Sequence, residues 1–183
     1  SIFMVLGIDN IYELIRKKRI LSNLSERELK SPEGTGVDLR IGELYSLSGS
    51  GFLGIKERHT PKVKLVATYD PKKSKSFLLK PGEYYVMTTV ETVNTPSDIL
   101  VLFYPRSTLY RSGLTIFSGN CSPGYRGKLT FGVINFGKKS FKIEMGARVV
   151  HAVFYEVKGK TRLYRGQWQG GRVTTRGKRE KQV

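Results

Sequence analysis

Apolar residues fall at helical spacing only once along this chain and otherwise recur in short, strand-like runs. Near the N-terminus Ile11, Leu14 and Ile15 share one face of a segment that Asp9 or Asn10 could cap. Arg16, Lys17 and Lys18 close it, which predicts a short helix through Lys18. Strand patterns follow at Lys62 to Thr68, Tyr84 to Val93, Ile99 to Tyr104, Leu114 to Phe117, Lys128 to Asn135, Phe141 to Glu144 and Val149 to Val157. Gly and Pro punctuate them at Lys80-Pro81-Gly82, Ser122-Pro123-Gly124, Asn135-Phe136-Gly137 and Met145-Gly146. Ser46 to Pro61 and Lys72-Lys73-Ser74-Lys75 read as surface loops, and no internal repeat is present. Many short strands at this spacing predict a mainly β chain, a sandwich, jelly roll or barrel.

Composition narrows this little, but charge changes the picture. With 183 residues, 39% hydrophobic and 26% charged, the chain suits one globular domain. The apolar run Ile2 to Ile8 is too short to cross a membrane and lacks the flanks of a secretory signal. Ser1 in first place fits either a removed initiator Met or a start at Met4. The single cysteine, Cys121, excludes an internal disulfide framework and agrees with a cytoplasmic location. The net charge is +17, and its distribution is uneven: residues 1–100 carry 15 Lys/Arg against 12 Asp/Glu, residues 101–183 carry 17 against 3. Between Asp98 and Glu144 there is no carboxylate. Such a segment either attracts a polyanion, a nucleic acid or a polyphosphate ligand, or forms a solvated basic face. From Lys158 onward the chain is basic and Gly-rich, and that composition predicts a mobile tail unless a ligand orders it.

Several chemistries lack their residues. Only His59 and His151 are present, neither with a partner at zinc-ligand spacing, and the His-x-Glu and Pro-Cys-x-x-Cys pair of zinc base deaminases is missing. No Walker loop or dinucleotide glycine fingerprint occurs. Cys121 has no His at a nucleophile spacing, and His151 in an apolar strand reads as structural. What remains is Pro105 to Gly127. Arg106-Ser107-Thr108 at a strand end, with Arg111 close behind, suits a triphosphate, since guanidinium forks bind phosphate oxygens in pairs. The same residues also read as a capping Ser among solvated arginines. Ser118 to Gly127 looks like a hairpin tip, whose backbone could read a base edge with Tyr125 on a sugar, or which could be an ordinary Pro-Gly turn.

Taken in order, these pieces resemble the dCTP deaminase and dUTPase superfamily over nearly the whole chain. Gly36-Val37-Asp38-Leu39-Arg40-Ile41-Gly42 is similar to its "VDLRLG" strand, and Leu79 to Tyr84 with Thr88 to Pro96 matches its "PGEF" run. Pro105 to Leu114 matches "RSSLARLGL", Pro123 to Gly127 and Asn135 to Gly137 match "PGYxG" and "N-x-G", and Gly146 to Phe154 is similar to "GxRIAQLVF", with His151 where Gln is usual. Tyr164 to Gly170 resembles the deaminase tail.

The resemblance implies a distorted jelly-roll, or β-clip, subunit over 1–157, a tail over 158–183 that closes the site, and a homotrimer with nucleotide sites at subunit boundaries. It implies that Arg106, Ser107, Thr108 and Arg111 hold a deoxypyrimidine triphosphate carrying Mg2+. The Gly119, Asn120 and Cys121 backbone would read the pyrimidine, Tyr125 would pack on the deoxyribose and disfavour a 2′-OH, and Tyr164 and Gln169 would come from the tail. Two positions depart from the pattern. The deaminases' proton-shuttling Glu is Gly132 here, and the dUTPases' water-orienting Asp is Ser122; neither is a general base at neutral pH. A carboxylate such as Asp38, Glu91 or Asp98 would have to reach in from elsewhere. The expected function is therefore hydrolysis of dUTP to dUMP and diphosphate. The alternatives are a dCTP deaminase with a displaced carboxylate, a catalytically silent nucleotide-binding regulator and, more remotely, a nucleic-acid-binding protein.

Overall fold

A computed structural model of the chain describes residues 4–182; Ser1 to Phe3, the start of the first apolar run, and Val183 lie outside the described residues. Helix α1 spans Ile8–Lys18 and buries Ile11. It begins earlier than Asp9 or Asn10 as a cap would allow: Gly7 is the N-cap, without a side-chain bond. The reason lies just upstream, where Leu6 N–H donates to Phe154 O (2.8 Å), so the chain leaves a strand pairing and coils at once. After β1 (Leu21–Ser22), a second helix, α2 (Glu26–Lys30), is capped by the Ser25 hydroxyl, which accepts from Glu28 N–H.

The remaining elements are β2 (Val37–Ser48), β3 (Phe52–Leu53), β4 (Glu57–His59), β5 (Lys62–Thr68), β6 (Ser76–Leu79), β7 (Tyr84–Asn94), β8 (Ile99–Pro105), α3 (Ser107–Arg111), β9 (Leu114–Phe117), β10 (Arg126–Asn135), β11 (Phe141–Glu144), β12 (Arg148–Glu156) and β13 (Glu180–Lys181). The seven strand-like runs read from the sequence all appear, within two residues at each end. The large sheet is ordered β8-β12-β2-β7-β10-β9, with β5 added to β2 and β1 to β7, and every pairing is antiparallel. Strand β2 joins its two halves. Val37 to Arg40 pair with β12, and Ile41 to Ser46 pair with β7, with a register shift between Ile41 and Glu43 at the crossover. Leu39, Ile41 and Leu44 of β2 pack with Met87, Phe131, Val133 and Phe154 in the core. The architecture is the barrel-like jelly roll that the strand pattern predicts.

Two further expectations need correction. Ser46 to Pro61 is not a plain loop: β2 continues to Ser48, and β3 and β4 form a small sheet with β13 from the far C-terminus. The tail is not free either. Tyr164 N–H donates to Pro123 O (2.8 Å), Gly170 N–H to Arg126 O (2.7 Å) and Gln182 N–H to Lys56 O (2.8 Å). Thr60 and Thr175 each donate their backbone N–H to the other's hydroxyl at 2.9 Å. Bonding to three separate segments offsets the entropy that glycine gives the tail. Among the described residues no helix is long and apolar enough to cross a membrane.

Candidate functional site

The Pro-Gly turn before β10 is held by one buried hydroxyl. Thr95, at the end of β7, donates its Oγ1–H toward Ser122 O (2.8 Å) and Tyr125 O (3.0 Å), and its carbonyl accepts from Gly124 N–H (2.9 Å). On the other side Cys121 exchanges backbone bonds with Val101 at 2.9 and 3.1 Å. The turn is thus fixed between β7 and β8, and beside it opens a cleft of about 290 Å3.

Gly119, Asn120, Cys121, Ser122 and Tyr125 line one side of this cleft, Phe103, Leu129, Thr130 and Phe131 its floor. Tyr164, Trp168, Arg172 and Val173 of the tail complete it. The Tyr125 ring meets Tyr164 edge-on with centroids 5.4 Å apart, and its hydroxyl donates to Lys128 O. Burial pushes the Tyr125 phenol up to about 12, so it stays neutral and offers a ring face. Burial likewise raises the Cys121 thiol to about 12, which removes it as a nucleophile. Cys121 N–H is committed to Val101, so of the three turn residues Gly119 and Asn120 keep their backbone N–H groups clear of that bridge. Gln169 sits at the rim, accepting from Arg126 N–H (2.7 Å) and donating to Gly124 O (2.9 Å).

Tail and turn meet with no space between them. Gly127 has φ +136°, and a Cβ there would lie 2.3 Å from Gly171 N. Gly127→Ala is therefore expected to lift the tail while leaving the sheet folded, at a cost of about 1–3 kcal/mol. Trypsin should then cut between Lys158 and Arg172 well before it cuts the wild type; unchanged digestion would show that the tail does not rest on Gly127.

Arg106, Ser107, Thr108 and Arg111 do not line the cleft. They stand at the turn from β8 into α3, with Ser107, Thr108 and Arg111 exposed. Ser107 is not a helix cap, since Arg106 occupies that position without a side-chain bond. Arg106 instead points its Nε at Asp38, 3.5 Å away. Asp38, buried at 8% exposure, also accepts from Arg148 Nη1 (2.9 Å) and His151 Nδ1 (2.8 Å), while Gly36 N–H donates to His151 Nε2 (3.3 Å). His151 is thus a structural member of a charged cluster, as the sequence suggests. Burial opposes ionisation of Asp38, but the His151 bond and the Arg106 and Arg148 charges outweigh it and hold the carboxyl below its usual range.

The three candidate replacement carboxylates do not reach the cleft. Asp38 is committed as described. Glu91 is fully buried and bound by Arg40 N–H (2.9 Å) and Nε (2.8 Å), with burial pushing its carboxyl up against the pull of Arg40. Asp98 lines a different hollow, beside α1. Among the described residues lining the cleft, Arg172 is the one charged group.

Gly132 is occupied space. A Cβ at this position would lie 1.8 Å from the Tyr84 hydroxyl and 2.6 Å from its Cζ; Tyr84 is 41% exposed, with the Phe117 ring 6.3 Å away between centroids. Gly132→Glu is expected to push the Tyr84 side chain outward and to lower the melting temperature modestly, by about 1 kcal/mol of stability, and Tyr84→Ala added to it should recover most of the loss. Equal melting of Gly132→Glu and wild type would contradict this placement.

Thr95, Trp168, Arg172 and Tyr84 lie in stretches that the sequence marks, but nothing in the sequence gives them a place at the site. The one signal for the tail pair was a lone Trp four residues after Tyr164.

A family model described as dCTP deaminase-like matches residues 5–157. A probable deoxyuridine 5′-triphosphate nucleotidohydrolase of Methanothermobacter thermautotrophicus is 31% identical over 142 residues, covering 78% of this chain and 89% of that protein. One from Methanopyrus kandleri is 34% identical over 134 residues, covering 73% and 84%. A dCTP deaminase of Pyrobaculum islandicum is 28% identical over 173 residues, covering 94% and 95%. Among solved structures, the 2′-deoxycytidine 5′-triphosphate deaminase of Agrobacterium tumefaciens superposes with a TM-score of 0.65 at 15% identity. That match takes in 85% of this chain and 49% of the other, about half its length, and shows the shared fold.

Proposed function

We propose that this chain, which belongs to the dCTP deaminase-like family, binds deoxypyrimidine triphosphates and hydrolyses dUTP to dUMP and diphosphate. One observation favours hydrolysis over deamination: the Tyr84 hydroxyl fills the place where a residue 132 side chain would stand. Deamination needs a group there to carry protons to the base. Hydrolysis needs a water to attack the α-phosphorus while the bridging oxygen leaves with diphosphate, and this depends mainly on positioning and on neutralising charge. The relatives reported above at 31% and 34% identity both carry the name probable deoxyuridine 5′-triphosphate nucleotidohydrolase, which supports the same reading.

In this reading the pyrimidine lies against Gly119 and Asn120, and the deoxyribose packs on Tyr125 with no room for a 2′-OH. Tyr164 and Gln169 hold the tail over them. Arg106, Ser107, Thr108 and Arg111 lie outside the cleft of their own chain; in this reading those residues of another copy hold the phosphates, in the homotrimer that the family resemblance implies. Asp38 is already bonded to Arg148 and His151, so Mg2+ would be held by phosphate oxygens and water, and it would neutralise phosphate charge there. A lone cysteine and a free nucleotide substrate fit a cytoplasmic setting. The absence of a carboxylate among the described lining residues favours one other reading, a nucleotide-binding regulator without turnover.

Titration with a non-hydrolysable dUTP analogue, with the mass measured by light scattering on the same sample, tests the site. Expected are saturable binding, much weaker binding of UTP, a mass of three chains, and lost affinity in Arg111→Ala. A single-chain mass at full affinity overturns the shared site, and no binding overturns the nucleotide reading.

A further inference from the structure

The basic tail also borders a second hollow. A groove of about 870 Å3 lies between β5 and the tail, and four cations line it: Lys62 from β5, and Arg172, Arg176 and Lys178 from the tail. All four are exposed. Its one acidic lining residue, Glu180, is already bound by both terminal nitrogens of Arg172 and by Gln167. Three cations thus face the groove without a carboxylate partner among the lining residues.

Their backbone is fixed in advance. The Thr60 and Thr175 exchange, Gly177 N–H to Thr60 O (2.9 Å) and the pairing of β13 with β4 anchor the tail beside the start of β5. Binding an anion here therefore costs little ordering of the main chain. Between the cations the wall is Tyr45, Val63 and Leu65. A duplex turns its bases inward and would leave that apolar wall uncovered, whereas a single strand offers phosphates to the rim and base faces to the wall. At one end the groove shares Arg172 and Val173 with the cleft.

We infer that the groove between β5 and the C-terminal tail binds a single-stranded nucleic acid, with its phosphates on Lys62, Arg176 and Lys178. This site is independent of dUTP turnover and remains whether or not the cleft is catalytic.

Fluorescence anisotropy with labelled oligo(dT) tests it, comparing wild type with Lys62→Gln/Arg176→Gln/Lys178→Gln. The control removes equal charge elsewhere, as Lys138→Gln/Lys139→Gln/Lys142→Gln, at exposed positions near the turn between β10 and β11. The groove variant should lose about tenfold or more in affinity, and its plot of log affinity against log salt should flatten by about 2, since each single-strand phosphate contact contributes roughly 0.7. The control should stay near wild type, and Lys178→Glu alone should show a smaller loss in the same direction. Equal losses in groove variant and control, no oligo(dT) binding, tighter binding of a duplex, or equal displacement by polyglutamate would each overturn the assignment.

Discussion

Replacing Ser122 with Asp is expected to accelerate dUMP formation from dUTP by about 100- to 10,000-fold, the range that a positioned general base supplies. Ser122 lines the cleft, and its hydroxyl already accepts from Asn120 Nδ2 at 3.0 Å, so a carboxylate there would enter with a donor waiting. The turn itself is fixed through the Ser122 carbonyl, which Thr95 holds, so the substitution leaves its backbone anchored. Single-turnover chromatography with dUTP and magnesium measures the gain. An unchanged rate, with the nucleotide still bound, would mean that water is oriented by some other group. Position 132 is the contrast: Tyr84 stands in the space a Glu there would take and must first swing outward, so restoring Glu alone should yield no deaminase.

The second large effect is on stability. Asp38→Asn removes the one carboxylate that Arg106, Arg148 and His151 share, with Arg27 3.9 Å away as a fourth partner. A broken buried ion pair costs 3–5 kcal/mol, and the partial exposure of these cations brings the expected loss to about 2–3 kcal/mol. For a chain of this size that is roughly 5–10 °C in melting temperature. The pH dependence has a definite sign. The folded carboxyl titrates below its unfolded value of about 3.9, so its contribution is complete above that pH and lost as pH falls through the folded value. The gap between wild type and Asp38→Asn should hold between neutrality and about pH 5, then close below about pH 4. A gap that stayed constant into acid would mean that the Asp38 charge contributes nothing.

How much of this was legible follows from how local each signal is. Lys62 to Thr68, Leu114 to Phe117 and Phe141 to Glu144 were found with their exact ends because turns bound them and alternation runs through them. β3 and β4 are two and three residues long, lie among Gly49, Gly51 and Gly54, and owe one partner to Glu180 at the other end of the chain. No window of sequence contains that pairing. α2 was hidden because its buried residue is Glu28, bonded to Asp38 N–H, where an apolar side chain would have marked the inner face. In the site, the Gly119 to Tyr125 turn was readable as chemistry on one loop. Arg106 read as a phosphate ligand, but its contact with Asp38 on β2 was not visible, and neither was Tyr84 above Gly132, since both depend on strand register.

The most direct test of a nucleotide cleft retained without a deaminase group is product analysis on the unmodified protein. Purified chain is incubated with dUTP, and separately with dCTP, in magnesium, and the nucleotides are resolved chromatographically. Expected are dUMP and diphosphate from dUTP, and neither dUTP nor dUMP from dCTP. Deaminated product from dCTP, whatever happens to dUTP, would contradict it.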